Sequence, residues 1–307
     1  MTPVLQTFKL SKWYGNILGL SEVSLEVRPG VTGLLGPNGA GKSTLMKLLT
    51  GQLKPSLGRV RVSGQSVWNN PGLFRKIGYC PEHDSFYEDT TGRQFLWGLM
   101  RLHGFTAAES ARRTEAALAL VDLVEDKDRL IRGYSRGMRQ RLKVAQALGH
   151  DPDILILDEP LSGLDPLGKR KIIGLIKNFR AGNKTVLVSS HVLPEVEALT
   201  RDIVLIHQGK ILAAGDIHGI RDLIDAHPHV VALKCDRPRD LAARLVREPY
   251  VLKVQVGAEG LLTLETGNRD VFFGRLPSLI VELDLEVEEI SSPDDNLQAV
   301  FDYLVGR

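Results

Sequence analysis

Gly36, Pro37, Asn38, Gly39, Ala40, Gly41, Lys42, Ser43 and Thr44 form an unbroken G-x-x-x-x-G-K-S/T run. Residues of these types at this spacing can hold phosphate. The glycines let the backbone curl until several N–H groups converge on one anion. A helix starting at the end of the run turns its positive pole toward the same point. In this pattern the lysine pairs with the β- and γ-phosphates of a nucleotide, and the next hydroxyl ligates Mg²⁺. Lys42 and Ser43 take those positions. A glycine-rich turn arising by chance would lack the flanks seen here. Val31 to Leu35 is an apolar run of strand length, and Leu45, Leu48 and Leu49 follow on one helical face.

A second group of residues can do the cleavage. Ile154-Leu-Ile-Leu157 is a buried-strand pattern that runs into Asp158, Glu159 and Pro160. In a parallel sheet, ligands bind beyond the carboxyl ends of the strands, which is the edge where the phosphate loop leaves its own strand. Asp158 is therefore placed to hold Mg²⁺ through oxygen, and Glu159 to polarise an attacking water as general base. Without the apolar run before them, the two acids would read as a solvated turn. His191 ends another apolar run, Val186 to Ser190. A lone histidine is commonly structural, but one at this same edge reads as a γ-phosphate contact that also positions water.

These groups need a scaffold that brings strand ends together. Strand patterns at 31–35, 153–157 and 185–189 alternate with helical ones, including an amphipathic helix from Lys169 to Phe179 with Ile172, Ile173, Ile176 and Phe179 inward. That alternation implies a parallel sheet with crossover helices. Leu5 to Val27 reads as strands broken near Lys12–Asn16. Arg59–Val62 and Ile77–Tyr79 read as further strands, and 203–206 with 211–214 as a hairpin turning at Gln208-Gly209. From about Phe86 to Gly149 the pattern is helical, with a capping box expected at Thr106-Ala-Ala-Glu109. The tail, after a join near Ala226–Pro228, alternates strands with helices at 241–246, 271–283 and 296–304.

Composition narrows the function classes. The 307 residues carry 43% apolar and 25% charged side chains and a formal net charge of +2, ordinary for a globular chain and without the basic excess of a nucleic-acid binder. The charge is uneven. Nine Lys/Arg face fourteen Asp/Glu from Val230 onward, against 30 and 23 before it, as in two domains with different partners or two solvated surfaces that differ. Cys80 and Cys235 are far apart and in no metal-ligand spacing, which fits a reducing compartment. Residues 1–10 lack the apolar core of a secretory leader, and no apolar run approaches the roughly 20 residues of a membrane span. A membrane role is therefore expected to come from docking to a partner.

One further run gives these motifs a family. Tyr134-Ser135-Arg136-Gly137-Met138-Arg139-Gln140-Arg141, shortly before the acidic strand, resembles the LSGGQ signature of ABC transporter nucleotide-binding subunits. The resemblance covers about residues 4–220. It implies a P-loop NTPase cassette of α/β class, with a RecA-like parallel core and antiparallel β and helical subdomains. The cassette would span 1–226 with its helical part at about 86–149. A small α+β accessory domain would fill 227–307, supporting the dimer, sensing a regulator or packing on the cassette.

The resemblance also implies ATP and Mg²⁺ as the bound species. Tyr14 would stack on adenine. Glu82, in Gly78-Tyr-Cys-Pro-Glu82, occupies the place of the family's loop glutamine and would reach Mg²⁺ or its water. Ser135 and Gly137 would touch the γ-phosphate of ATP held by a second subunit, Asp165 would lie in the loop crossing the dimer interface, and His191 looks like the switch histidine. Glu82 for Gln, Arg136 for Gly and Met138 for Gln depart from the usual pattern. The Ser-Arg-Gly-Met-Arg-Gln form, like the appended tail, resembles the branch that pairs with separate exporter permeases. The implied partners are an integral membrane permease and a second subunit as a homodimer, with no nucleic acid. The implied location is peripheral, on the cytoplasmic face of the cell membrane. An importer motor or a non-transport cassette ATPase are the alternatives.

Overall fold

Val31, Leu34, Leu155, Ile156, Val186 and Leu187 are buried on both sides of short runs, which only a sheet covered on both faces provides. The computed structural model describes residues 2–180, 184–217, 220, 229–258 and 260–292. The chain divides into two compact units, 1–215 and 216–307. The expected join at 226/227 lies outside the described residues.

In the first unit, β1 (Leu5–Tyr14) and β2 (Ile17–Val27) form a hairpin that pairs with β4 (Leu57–Val62) and β5 (Gln65–Ser66) in an antiparallel sheet, order β2-β1-β4-β5. The central six-stranded sheet has the order β10-β9-β3-β8-β7-β6. Its strands are β3 (Gly30–Leu35), β6 (Ile77–Cys80), β7 (Ile154–Leu157), β8 (Thr185–Ser190), β9 (Asp202–His207) and β10 (Lys210–Asp216). The β9–β3–β8–β7–β6 pairings are parallel, so the carboxyl ends of β3, β7 and β8 share one edge. α1 (Lys42–Leu49) follows β3, and the short α2 (Pro71–Phe74) precedes β6.

The stretch expected to be helical contains α3 (Gly92–Leu102), α4 (Ala107–Leu120), a 3₁₀ turn at Ile131–Gly133 and α5 (Arg136–Leu148). Thr106 does cap α4 by accepting from the Glu109 N–H, but the reciprocal half of the expected box is missing. The Glu109 carboxylate turns instead to Arg112 and Arg113, because two guanidiniums attract it more strongly than one backbone N–H. The complete box is at α3, where Thr91 and Gln94 cap each other. α6 (Pro166–Arg180) buries Ile172 and Ile176, with Ile173 and Phe179 packed beside them. α7 (Leu193–Glu197) follows β8. No described helix is long and apolar enough to cross a membrane.

At the foot of α5, His150 is buried against the Ile77 carbonyl and stacks on His103 with centroids 4.0 Å apart. Burial first, and the neighbouring His103 second, pull the His150 pKa down from 6.5 to about 4, with Arg113 adding to the effect and Asp151 opposing it. The folded protein therefore keeps this ring neutral where the unfolded chain would protonate it. Stability is full above pH 6.5 and falls as the pH drops from 6.5 toward 4, by about 3 kcal/mol in all. Urea midpoints between pH 7.5 and 4.5 are expected to fall less steeply for His150→Gln than for the wild type; equal slopes would remove His150 as the cause.

The second unit contains β11 (His229–Cys235), α8 (Pro238–Leu245), β12 (Val251–Val256), β13 (Leu261–Thr266), α9 (Arg269–Glu282) and β14 (Val287–Ser291). The sheet is antiparallel, order β12-β13-β11-β14. A β-α-β-β-α-β chain in this strand order is the ferredoxin-like arrangement. Its core is Val231, Leu233, Leu262, Leu264, Leu241, Leu245, Phe272, Leu276 and Leu279. The strands alternate because only one face is covered by helices. The helix expected at 296–304 lies outside the described residues.

Candidate active site

The loop from Gly36 to Gly41 joins β3 to α1 through conformations that side chains would block. A Cβ at Gly36 would come within 2.3 Å of the Ile206 carbonyl, and Gly41 (φ +106) has Leu20 and the Gly19 carbonyl within 3 Å of such a Cβ. The chain thus turns directly into the N-terminus of α1, whose first turn carries no acidic residue to compete with an incoming anion. Above it lies an open cleft of about 200 Å³ lined by Gly19, the loop residues Pro37 to Thr44 and Glu82.

The charged groups at the edge of the sheet are connected to one another. Lys42 is buried and donates from Nζ to the carbonyls of Gly36 (2.7 Å) and Pro37 (3.2 Å). The same Nζ stands 3.2 Å from Glu159 Oε1. This is an ion pair without hydrogen-bond alignment, so Oε1 is left with no hydrogen-bond donor among the described residues. Glu159 Oε2 meets His191 Nδ1 at 3.0 Å. A neutral imidazole that donates from Nδ1 carries its lone pair on Nε2, so a phosphate contact through Nε2 requires the imidazolium or a ring turned away from Glu159.

Glu159 is held in the left-handed region at φ +51, costly for a non-glycine residue and maintained by its surroundings. Its N–H donates to Ser189 Oγ at 2.9 Å, and its carbonyl accepts from Gln140 Nε2 at 3.1 Å. Ser189 Oγ in turn donates to Asp158 Oδ1 at 2.7 Å. Ser189 is fully buried and sets the geometry of both acids. The other oxygen, Asp158 Oδ2, is buried with no hydrogen-bond partner among the described residues. Ser43 Oγ donates to Glu82 Oε2 at 3.3 Å, and the Tyr14 hydroxyl is 3.3 Å from Thr44 Oγ1. Tyr14, the loop, Glu82, Asp158, Glu159 and His191 therefore form one linked site.

Ser135, Gly137 and Asp165 form a second group. Ser135 is the N-cap of α5, its Oγ accepting from the Met138 N–H. Asp165 Oδ1 accepts from the Gly168 N–H in the first turn of α6. Arg136 lies across Gly163 and donates to Ser162 Oγ at 3.0 Å, so the side chain that departs from the signature ties it to the loop before α6. Among the described residues, no hydrogen bond or ion pair joins Ser135, Gly137 or Asp165 to the phosphate-type loop.

Sequence reasoning missed three residues that hold the acids and Glu82 in place: Ser189, Gln140 and Lys143. The first had a visible signal, since Ser189 and Ser190 end a strand that is otherwise Thr-Val-Leu-Val. Lys143 donates to the Glu82 carbonyl at 2.6 Å, and its place in the pattern of α5 gave no warning of this.

Residues 20–162 match the ABC transporter family. The chain is 30% identical over 320 residues to the bacitracin transport ATP-binding protein BcrA of Bacillus licheniformis, covering 100% of this chain and 98% of that one. It is 31% identical to the daunorubicin resistance ATP-binding protein DrrA3 of Streptomyces coeruleorubidus, across 96% of this chain and 93% of the relative. A solved structure described as the ATP binding subunit of an ABC transporter is similar at TM-score 0.66 and 30% identity, over 72% of this chain and 93% of that one. Likeness along nearly the whole length, together with a glycine cradle, a buried lysine and an acid pair at one sheet edge, makes this chain a member of the ABC transporter ATP-binding family and an ATP-hydrolysing enzyme.

Proposed function

We propose that this chain is the motor of an exporter, working as a head-to-tail homodimer on the cytoplasmic face of the cell membrane and driving a separate membrane-embedded permease. The observation that carries this reading is the linkage of Lys42, Glu159 and His191 at the edge shared by β3, β7 and β8, to which Ser135 and Gly137 make no hydrogen bond among the described residues. Two copies facing each other would give each ATP a cradle from one chain and Ser135 and Gly137 from the other. Export is favoured by the names of relatives that match along nearly all of their length, a bacitracin transport protein and a daunorubicin resistance protein.

The residues divide the work. Tyr14 offers an exposed aromatic face for adenine. The loop N–H groups and Lys42 hold the phosphates. Glu159 takes a proton from water as it attacks; His191 keeps that carboxylate oriented through Nδ1, and with a proton on both ring nitrogens it would also donate from Nε2 to the terminal phosphate. The unpartnered Asp158 Oδ2, the Ser43 hydroxyl and Glu82 fit a magnesium ion, which when bound would neutralise charge on the phosphate oxygens. Preorganised positive groups around the terminal phosphate then do most of the catalysis. Because ATP binds the closed pair better than the open one, loss of the terminal phosphate reopens it.

Affinity-tagged chain expressed in its own cells and recovered from detergent-solubilised membranes is expected to carry an integral membrane protein with several apolar spans. Recovery of ribosomes or nucleic acid in its place would overturn the transport reading, and a membrane partner that takes labelled compound inward in vesicles would overturn export.

A further inference from the structure

α5 carries a residue that its pattern does not call for. Leu142, Val144, Ala145 and Ala147 are buried on this helix, and Lys143 is buried among them at 3% exposure. An ammonium there is costly to desolvate, and leucine or methionine would fill the space without that penalty. Among the described residues the charge is compensated at one place. Nζ donates to the Glu82 carbonyl at 2.6 Å and pairs with Asp84 Oδ1 at 3.1 Å. One turn earlier, Arg139 holds the same loop through Glu88 at 2.7 Å and Asp84 at 3.7 Å. Further along, Gln146 and His150 reach the carbonyls of Tyr79 and Ile77. Gly78 admits the α5 backbone so closely that a Cβ would sit 2.1 Å from the Ala147 carbonyl. The helix that begins at Ser135 is thus fastened along β6 and onto the loop that carries Glu82.

Glu82 lies two residues beyond the end of β6, and its side chain meets Ser43 on α1. A loop side chain is precise only if its backbone is fixed, and a displacement of about 1 Å can cost a hundredfold in rate. We propose that Lys143 is the positioning residue for Glu82: by holding the Glu82 carbonyl and the Asp84 carboxylate, it fixes the reach of the Glu82 side chain to Ser43 during ATP hydrolysis. The inference rests on the reading of Glu82 as a ligand for magnesium or its water. Charge and length at position 143 both matter, because a shorter donor would let the loop drift toward solvent and a neutral one would release Asp84.

A double-mutant cycle tests it, with steady-state hydrolysis by the full chain as one readout. The other is the magnesium concentration that half-maximally raises the melting temperature with a non-hydrolysable ATP analogue. K143M is expected to lower the rate about tenfold in the wild-type background and less than about twofold in an E82A background, since the two act through one contact. K143M should also raise the magnesium requirement several-fold, and K143R should restore most of both. D84N disturbs the same anchor from its partly exposed side: it removes the counter-charge of Lys143 but keeps an oxygen that can accept from Nζ. It should show a smaller loss with the same dependence on Glu82, so the test survives if K143M folds poorly. Losses from K143M or D84N that multiply with those of E82A, at unchanged magnesium requirement, would overturn the role of Lys143. An E82A variant that hydrolyses ATP at the wild-type rate would overturn the reading of Glu82 itself.

Discussion

Glu159→Gln will bind ATP as tightly as the wild type and hydrolyse it about 10²–10⁴-fold more slowly, the range expected for a lost general base. The substitution keeps shape and volume, so the left-handed backbone at 159 and its bonds to Ser189 and Gln140 should persist. What disappears is an oxygen able to accept a proton from water. Affinity is preserved because Glu159 competes for Lys42, with Oε1 and Nζ 3.2 Å apart, and phosphates must draw the lysine away. An amide holds Lys42 less firmly, which favours binding if it changes it at all. With hydrolysis blocked, ATP should trap the closed pair, and the variant should elute at twice its monomer mass with ATP and as a monomer without it. Phosphate release in a single turnover measures the first effect and size-exclusion chromatography the second. A rate within about threefold of wild type would remove Glu159 as base; a monomer in saturating ATP would remove the dimer.

The contrast between the two acids and the residues that hold them shows what a sequence discloses. Gly36 to Thr44 is legible because every part of the cradle is local, within one loop and the turn after it. Asp158 and Glu159 are legible because the apolar run before them announces a buried strand, and a strand end in a parallel sheet has a predictable use. Ser189, Gln140 and Lys143 act on that site from 30, 19 and 61 residues away. Their partners are fixed by which strands neighbour which, and no local pattern records that. The same limit explains the second unit. Residues 231, 233 and 235 and residues 262, 264 and 266 are the buried side of strands with one covered face. That β13 would insert between β12 and β11 depended on long-range register. Thr106 looked like a full capping box because its spacing is right, and it was the arginines at 112 and 113 that decided where Glu109 points.

Two of the departures from the family's usual pattern acquire a physical place in this arrangement. Arg136 for glycine cannot simply fill space, since its guanidinium crosses Gly163 and reaches Ser162. It couples the start of α5 to the loop before α6 within one chain. Gly163 (φ +73) tolerates this because it has neither a Cβ to collide with Arg136 nor a penalty for a positive φ. Glu82 for glutamine keeps a side-chain oxygen that accepts from the Ser43 hydroxyl. Its charge suits a site where a cation sits between it and the phosphates, and would oppose phosphate directly.

Lys42→Ala will fail in two separable ways, and the separation identifies the site. With the ammonium gone, the phosphates lose their charge-assisted partner, and ATP affinity should fall by about 30-fold or more, roughly 2 kcal/mol. The thermal stabilisation that ATP gives the wild type, about 2.7 kcal/mol at a hundredfold excess over Kd, should shrink accordingly. The second failure appears without nucleotide. Lys42 and Glu159 are both about 6% exposed at their side chains, and removing one partner of a buried pair strands the other at a cost of about 3 kcal/mol. Neutralising the stranded carboxylate should recover much of that. The double variant Lys42→Ala/Glu159→Gln is therefore expected to melt higher than Lys42→Ala alone, while binding ATP no better. A general packing defect at position 42 would instead add to that of Glu159→Gln. Isothermal titration with ATP and denaturant melts of the four proteins decide between them. A Lys42→Ala chain that binds ATP at wild-type affinity would mean that the glycine cradle is not where the phosphates lie.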